Sequence, residues 1–134
     1  FSRERLVPIC AANHHFETKP KTIEDLLGER LILREEGSGS RNVFVHALAR
    51  HNLSPASFAH HFVVESLDII KIFVEADLGI SFVYEAAVQK EVQEGTLRII
   101  SLAHDDVFHD ISFVYLRGSL YAQEMENLFA ALHA

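Results

Sequence analysis

The sequence has 134 residues, which is enough for one domain with its own hydrophobic core. About half of the residues are apolar (49%) and 23% are charged, which is the ordinary composition of a globular protein. The formal net charge is −7 and the 12 Lys and Arg residues are scattered along the chain. This argues against a protein that binds nucleic acid by itself, because phosphate binding depends on clustered basic residues.

One cysteine, Cys10, excludes an internal disulfide and fits a reducing cytoplasm, where we expect the protein to act. No apolar run approaches the roughly 20 residues that span a bilayer, and the first residues lack the pattern of a secretory signal. We therefore expect no membrane association. The sequence begins with Phe1 rather than Met, so we expect a fragment of a longer protein.

The first third of the chain predicts two strands on either side of a helical turn. Residues 4–12 predict a strand that is interrupted or edged at Pro8, because proline cannot donate a ladder hydrogen bond. Residues 22–28 predict a short helix with Thr22 as its N-cap. The apolar run at 30–34 predicts a short buried strand.

The middle of the chain repeats the order of strand and helix. A helix is predicted from about residue 40 to 51, and Pro55 prevents its continuation. A second short buried strand follows at 62–64. The next helix, at 67–76, is apolar nearly all round, which predicts that it is sandwiched between other elements rather than lying on the surface.

The last third predicts a strand at 79–84, a polar helix from 85 that ends at Gly95, and a strand at 96–101. A further strand at 110–116 and a final helix that begins at Ser119 complete the pattern. Alternating strands and helices predict an α/β fold, with a Rossmann-like, mostly parallel sheet covered by helices on both faces.

Two corners at which a strand passes into a helix are the candidate ligand-binding features. Ser38, Gly39 and Ser40 lie in a small turn at the first corner, and Glu65 and Ser66 lie at the second. Backbone N–H groups and hydroxyls at helix N-termini bind carboxylates and other anions, so we expect the corners to be walls of one pocket. Alternatively, the serines are only N-caps. The glycine pattern matches neither a P-loop nor a dinucleotide-binding fingerprint.

Three acidic residues near the corners, Glu35, Glu36 and Glu65, bear on the charge of the ligand. If two of them face the pocket, they would repel a carboxylate by several kcal/mol in a partly dry site. In that case we expect a neutral or amine-bearing ligand.

Nine histidines invite a metal hypothesis, but their spacing does not support one. The pairs at 14–15 and 60–61 are adjacent, and the residues at 104 and 109 lie in a predicted loop, whereas metal ligands need a spacing that brings them to one face. We expect structural or solvated histidines, no metal and no cofactor. The sequence also lacks G-x-S-x-G and H-E-x-x-H motifs, and we expect no catalytic residues.

Five motifs, taken in order, resemble the effector-binding domain of LysR-type transcriptional regulators. Asp77 stands where that family usually has Gly, and Tyr84 where it often has Pro. The motifs cover nearly the whole chain at the family's spacings. They are ANHHF at 12–16 (similar to H-P-L-A), TIEDL at 22–26 (v-s-l-x-D-L), REEGSGSR at 34–41 (e-x-G-S-x-x-R), IKIFVEADLGISF at 70–82 (l-V-x-a-G-x-G-i-a-l) and QEGTL at 93–97 (x-x-G-x-L).

The resemblance implies a periplasmic-binding-protein-like fold of type 2, in which two lobes joined by two crossover strands bind a small metabolite between them. The chain looks like the second lobe (about 12–110) with a returning crossover strand and helix (about 111–134). On this resemblance, we expect most of the first lobe to lie outside the given sequence. DNA would then be a partner only through a winged helix-turn-helix absent from this chain. The family places pocket residues at the end of the first strand, here Ala11 and Ala12, which offer only shape and backbone groups.

The resemblance favours a ligand sensor that is not an enzyme. The alternative is a solute-binding or enzymatic domain of the same architecture, since fold alone does not decide function. Family members pair side by side, which implies a dimer or larger assembly. We expect the outer face of the helix at 40–51, with Val45 and Ala49, to serve that contact. We also expect another molecule to cover the apolar face of the final helix (Tyr121, Met125, Leu128, Leu132).

Overall fold

The computed structural model describes residues 3–103, 111–112, 128 and 131–132. Most of the predicted strand at 110–116 and of the final helix from Ser119 lies outside the described residues. The strands are β1 (Arg3–Glu4), β2 (Leu6–Ala11), β3 (Arg30–Leu33), β4 (His60–Val63), β5 (Ser81–Tyr84), β6 (Leu97–Ile99) and β7 (Ile111–Ser112). The helices are α1 (Gly39–Arg50), α2 (Leu67–Glu75) and α3 (Gln89–Glu94), and 3₁₀ turns cover Ile23–Leu26, Pro55–Ser57 and Glu85–Val88.

The central sheet has the order β4-β3-β5-β2-β6 among the described residues. β3 and β4 pair in parallel, and a parallel bridge between Leu31 and Ile80 joins β3 to the start of β5. β2 pairs antiparallel with both β5 and β6. Four of these five strands therefore run in one direction and β2 runs in the other. The predicted α/β fold with a mostly parallel sheet is confirmed, with one reversed strand in its interior.

Pro8 lies within this reversed strand, so the prediction of an interrupted or edge strand was wrong. β2 continues through Pro8 and is buried along its whole length between β5 and β6. The Pro8 carbonyl accepts the Ile100 N–H at 2.9 Å, one residue beyond the end of β6. The N–H group that proline lacks would point toward the same neighbour, at the end of the hydrogen-bond ladder between β2 and β6. The sheet therefore loses little by having proline there.

Two hydrophobic clusters cover the two faces of the sheet, as predicted. Successive residues of β2 alternate between them: Leu6 and Cys10 belong to one cluster, and Val7 and Ile9 to the other. The first cluster includes Phe44, Ala47 and Leu48 of α1. The second includes Ile70 and Val74 of α2.

The helix α2 packs on the sheet through one face only, so the prediction that it is sandwiched was wrong. Ile70 and Val74 are fully buried, one helical turn apart. Ile69 and Ile72 point elsewhere and are 40% and 56% exposed. The reason is that one sheet can bury only one side of a helix, and no second described element covers the other.

All three α-helices end in the same way. At each end, the N–H groups of the residue in the left-handed conformation and of the residue after it bond back to carbonyls of the last turn, which is the Schellman pattern. The residues in the left-handed conformation are Asn52 (φ 59°), Asp77 (φ 61°) and Gly95 (φ 80°). Gly95 is the helix end that the sequence predicts, whereas α1 ends at Arg50, five residues before Pro55.

No helix among the described residues combines the length and apolar character needed to cross a membrane. The antiparallel pair of β1 and β7 stands apart from the central sheet, with Arg3 opposite Ser112 and Glu4 opposite Ile111.

Candidate functional site

A cleft of about 510 Å³, which we call the Ser38 cleft, opens at the carboxyl ends of β3 and β5. This edge of the sheet is where open α/β folds present loops and helix N-termini to ligands. β5 and the turn after it contribute Tyr84 and Ala86. The other walls come from the residue after β3 and from the N-terminal halves of the two large helices, with the N-cap of α1: Arg34, Ser38, Gly39, Ser40, Leu67 and Lys71.

The first predicted corner lies in this cleft. Ser38 is the N-cap of α1, and its Oγ accepts the Arg41 N–H at 3.4 Å. The Oγ atoms of Ser38 and Ser40 are 3.1 Å apart. Both serines and Gly39 also line the cleft. The two interpretations of the sequence are therefore compatible, because one hydroxyl can cap the helix and still face the cleft.

The second predicted corner lies beside the cleft rather than in it. Ser66 is the N-cap of α2, and its Oγ accepts the Ile69 N–H at 3.4 Å. The side chains that α2 contributes to the lining are those of Leu67 and Lys71, and Glu65 is exposed. Neither Ser66 nor Glu65 lines the cleft.

Ala11 and Ala12 lie at the opposite edge of the sheet. Because β2 is reversed, its carboxyl end lies beside the start of β6, where Ala11 pairs with Leu97. Ala11 is fully buried, and the Ala12 N–H donates to the Thr96 carbonyl at 3.3 Å. The structure therefore does not bring these two residues together with Ser38 and Ser40.

The acidic residues of the first corner do not line the cleft. Arg34 holds Glu35 through two hydrogen bonds, at 3.2 and 3.1 Å. The bond from Arg34 is the largest reason why the pKa of Glu35 lies below its usual value. The Glu36 side chain is 92% exposed, with one oxygen 3.9 Å from the Arg41 guanidinium. The condition for repelling an anionic ligand is therefore not met among the described residues.

Two cations that the sequence did not single out line the cleft. Arg34 follows β3 directly, and its carbonyl accepts a hydrogen bond from the Arg41 guanidinium at 2.9 Å. Lys71 lies on α2, 3.4 Å from Glu91, with both side chains less than a fifth exposed. The sequence feature that could have identified Arg34 as a lining residue is its position at the end of a predicted strand. The feature that could have identified Lys71 is a positive charge one turn into a strongly apolar helix.

Described residues from the region of the predicted final helix also lie at the Ser38 cleft. Leu128 and Leu132 line it, and they remain 47% and 39% exposed. Tyr121 and Met125 of the predicted apolar face lie outside the described residues. Within the described part of the chain, no group of three or more His, Cys, Asp or Glu side chains is arranged to hold a metal ion.

Comparison with known proteins connects this geometry to a family. HTH-type transcriptional regulator CbbR of Rhodospirillum rubrum is 30% identical over 128 residues, which cover 94% of this chain and 41% of that regulator. The chain thus spans less than half the length of this relative.

Solved structures share the fold. The CcmR regulatory domain of Synechocystis PCC6803, in complex with 2-PG, matches 99% of this chain and 63% of its own with a TM-score of 0.66 and 23% identity. The effector binding domain of QuiR, in complex with shikimate, matches 98% of this chain and 62% of its own with a TM-score of 0.63 and 18% identity. The family model described as LysR substrate binding domain matches residues 1–134. The chain belongs to the LysR substrate binding domain family.

Proposed function

We propose that this chain is the effector-sensing part of a LysR-type transcriptional regulator and that it binds a small anionic metabolite in the Ser38 cleft. One observation carries the proposal: the described lining holds two cations, two serine hydroxyls and the start of α1, but no carboxylate. A helix N-terminus and charged donors favour an anion. The complexes of CcmR with 2-PG and of QuiR with shikimate are consistent with a small-molecule effector.

The charge pairs around the cleft support an anion over the neutral or amine-bearing ligand considered above. Arg34 and Lys71 each have a carboxylate partner, Glu35 and Glu91, and neither partner is among the lining residues. A ligand in the cleft therefore meets hydrogen-bond donors first. Donors that are already positioned lose less conformational entropy when a ligand binds.

In the whole regulator, we propose that residues from about 12 to 110, together with β2 (Leu6–Ala11) inside their sheet, form one of two lobes. The antiparallel pair of β1 and β7 would be the connection through which the chain passes to the other lobe. Effector binding between the lobes would shift an equilibrium between two arrangements of the protein. DNA would be contacted by a winged helix-turn-helix elsewhere in the whole protein. The role is sensing in the cytoplasm rather than catalysis.

We further propose self-association through α2. Ile69 and Ile72 form an exposed apolar face on this helix. On α1, the face that the sequence suggested is smaller: Val45 is half-buried and Ala49 offers only a methyl group. The larger apolar face gains more from burial against a partner.

A matched pair of serine variants tests the proposed cleft. Ser38→Ala and Ser66→Ala each remove an N-cap hydroxyl with the same 3.4 Å bond, but only Ser38 lines the cleft. Each variant should lose about 1 kcal/mol of stability. A panel of small carboxylates and phosphate esters that includes shikimate would be screened by thermal shift and then titrated calorimetrically.

The best binder of that panel should lose about tenfold in affinity on Ser38→Ala, because a hydrogen bond to a charged group contributes about 1.5 kcal/mol or more. Ser66→Ala should change the affinity less than twofold. Equal losses in the two variants, or binding only by neutral and cationic compounds in a wider panel, would contradict the proposal.

A further inference from the structure

A second cleft, of about 300 Å³, lies between residues 14–20 and the outer side of β6. We call it the Arg98 cleft. Arg98, Ile100 and Ser101 contribute its wall on the β6 side, and the facing segment contributes two histidines, Phe16 and Lys19. The two clefts have no lining residue in common. The Arg98 cleft therefore belongs to a separate part of the lobe.

The guanidinium of Arg98 is held in place by its neighbours. One of its terminal nitrogens donates to the His14 carbonyl at 2.6 Å. Its central carbon lies 5.6 Å from the centre of the Phe16 ring, a cation–π contact. The His14 ring in turn meets Phe16 edge to face at 4.6 Å. A guanidinium has five N–H donors. Among the described residues, the Arg98 guanidinium makes one hydrogen bond to a protein acceptor, so N–H donors remain for a ligand.

Nearby carboxylates are engaged by His14 rather than by Arg98. The Nδ1 and Nε2 atoms of His14 lie 2.6 Å from an Asp77 oxygen and 3.2 Å from a Glu29 oxygen. Neither acid lines the cleft, and no Asp or Glu is among its described lining residues. On a chain with a net charge of −7, this cleft is lined by two cationic side chains, those of Arg98 and Lys19, and this favours an anionic ligand.

We propose that the Arg98 cleft is a second binding site, for a small organic anion that carries a carboxylate or phosphate group. The planar fork of Arg98 matches two oxygens of such a group. Lys19 adds a second positive charge, and Ser101 adds a hydroxyl. Phe16, Pro20 and Ile100 form an apolar wall for the body of the ligand. The volume is at the lower end of the range for small-molecule sites, which limits the ligand to metabolite size.

The test uses the 134-residue chain with benzoate, acetate and inorganic phosphate as probes at constant ionic strength. Two-dimensional ¹H–¹⁵N NMR separates the two clefts, because each has its own backbone amides. Benzoate should shift the amides of His15, Lys19 and Ser101, with an affinity several-fold higher than that of acetate because its ring can pack on the apolar wall. Phosphate that binds as tightly as benzoate would overturn the assignment to an organic anion.

Two variants locate the binding group. Arg98→Gln should weaken benzoate binding at these amides at least tenfold. Lys19→Gln, a change of an exposed side chain that leaves the fold intact, should weaken it about threefold. Ser38→Ala should leave it unchanged. Benzoate shifts confined to the Ser38 cleft, or Lys19→Gln and Arg98→Gln affinities equal to that of the unmodified chain, would overturn the proposal without affecting the proposed effector site.

Discussion

Asp25 uses its carboxylate to bind the backbone ahead of the 3₁₀ turn Ile23–Leu26. Its Oδ2 atom accepts the N–H groups of Lys21 at 2.9 Å and Thr22 at 3.2 Å. These two hydrogen bonds are the largest causes that hold the pKa of Asp25 below its usual value. The sequence predicts Thr22 as the N-cap residue, which is confirmed. Asp25 contributes the hydrogen bonds to the backbone at that position.

A lowered pKa makes Asp25 a pH-dependent contributor to stability. Its folded-state pKa lies below the unfolded value, so the contribution is present above the unfolded pKa of about 4 and is lost as the pH falls through the folded pKa. Urea unfolding between pH 6 and pH 2 should show a smaller acid loss of stability for Asp25→Asn than for the unmodified chain. The two stabilities should converge at the lowest pH.

The control for this series is Glu17→Gln, which removes an exposed negative charge and leaves the N–H groups of Lys21 and Thr22 bonded. It should follow the pH dependence of the unmodified chain more closely than Asp25→Asn does. Parallel curves for all three proteins would show that the backbone hydrogen bonds of Asp25 do not stabilise the fold.

Asp77 explains one departure from the family pattern. It occupies the left-handed position after α2, with φ 61°, where the resembled family usually has glycine. Aspartate visits this conformation more readily than most residues with a side chain. Its carboxylate also contacts His14 at 2.6 Å, a contact that glycine could not make.

Among the elements, the connection from α2 to β5 passes very close to β3. A Cβ added at Gly79 would lie 2.6 Å from the Arg30 carbonyl oxygen and 3.0 Å from the Ile32 side chain. The next residue, Ile80, donates its N–H to the same Arg30 carbonyl at 2.8 Å. The absence of a side chain at Gly79 thus permits the bridge that joins β3 to β5.

Gly79→Ala should therefore destabilise the protein by about 1–3 kcal/mol, the usual cost of forcing extra atoms into a packed site. Gly28→Ala is the matched control, since a Cβ there meets nothing within 4 Å, and it should change stability by no more than about 0.5 kcal/mol. Denaturant unfolding of both variants measures the difference. Equal stabilities of the two variants would show that β3 and β5 can separate enough to accept the methyl group.

At the scale of the whole molecule, the exposed outer face of α2 differs from the prediction that this helix is sandwiched. If Ile69 and Ile72 bind a second copy, light scattering over a concentration series should show a dimer, and Ile72→Lys should shift it toward the 15.1 kDa monomer. A charge in an apolar interface is costly unless it is paired.

Val45→Lys on α1 is the control for that experiment, because it adds the same charge to the face that the sequence favoured. It should leave the dimer intact. An unmodified chain that is monomeric at every concentration would contradict self-association, and dissociation by Val45→Lys alone would move the contact from α2 to α1.

Local signals in the sequence predicted most of the elements correctly. The sequence predicted an N-cap at Ser38 or Ser40, of which the structure has Ser38, and one at Ser66. These caps, the helix end at Gly95 and the alternation of strands with helices all depend on residues within a few positions of one another. The same local signals predicted that Ser38, Gly39 and Ser40 lie at the start of a helix, and in the structure this helix start lines the Ser38 cleft. The family resemblance, spread over five motifs, is confirmed by the family model.

Only the tertiary structure decided the direction of β2 and, with it, the composition of the site. Val7 pairs with Val83, and Pro8 meets Ile100, across most of the chain length. Such pairings leave no local pattern, because a strand has the same two-residue period whichever way its neighbours run. The reversal takes Ala11 and Ala12 to the far edge of the sheet.

The side chains that line the Ser38 cleft were also decided by packing. Arg34 and Lys71 reach the cleft, while Ser66 caps its helix outside it. Glu35 forms an ion pair with its neighbour Arg34 and does not line the cleft. The sequence by itself thus determined the elements, their caps and the family. The fold determined which charges a ligand meets, because that depends on the rotation of each helix against the sheet rather than on any residue's neighbours in sequence.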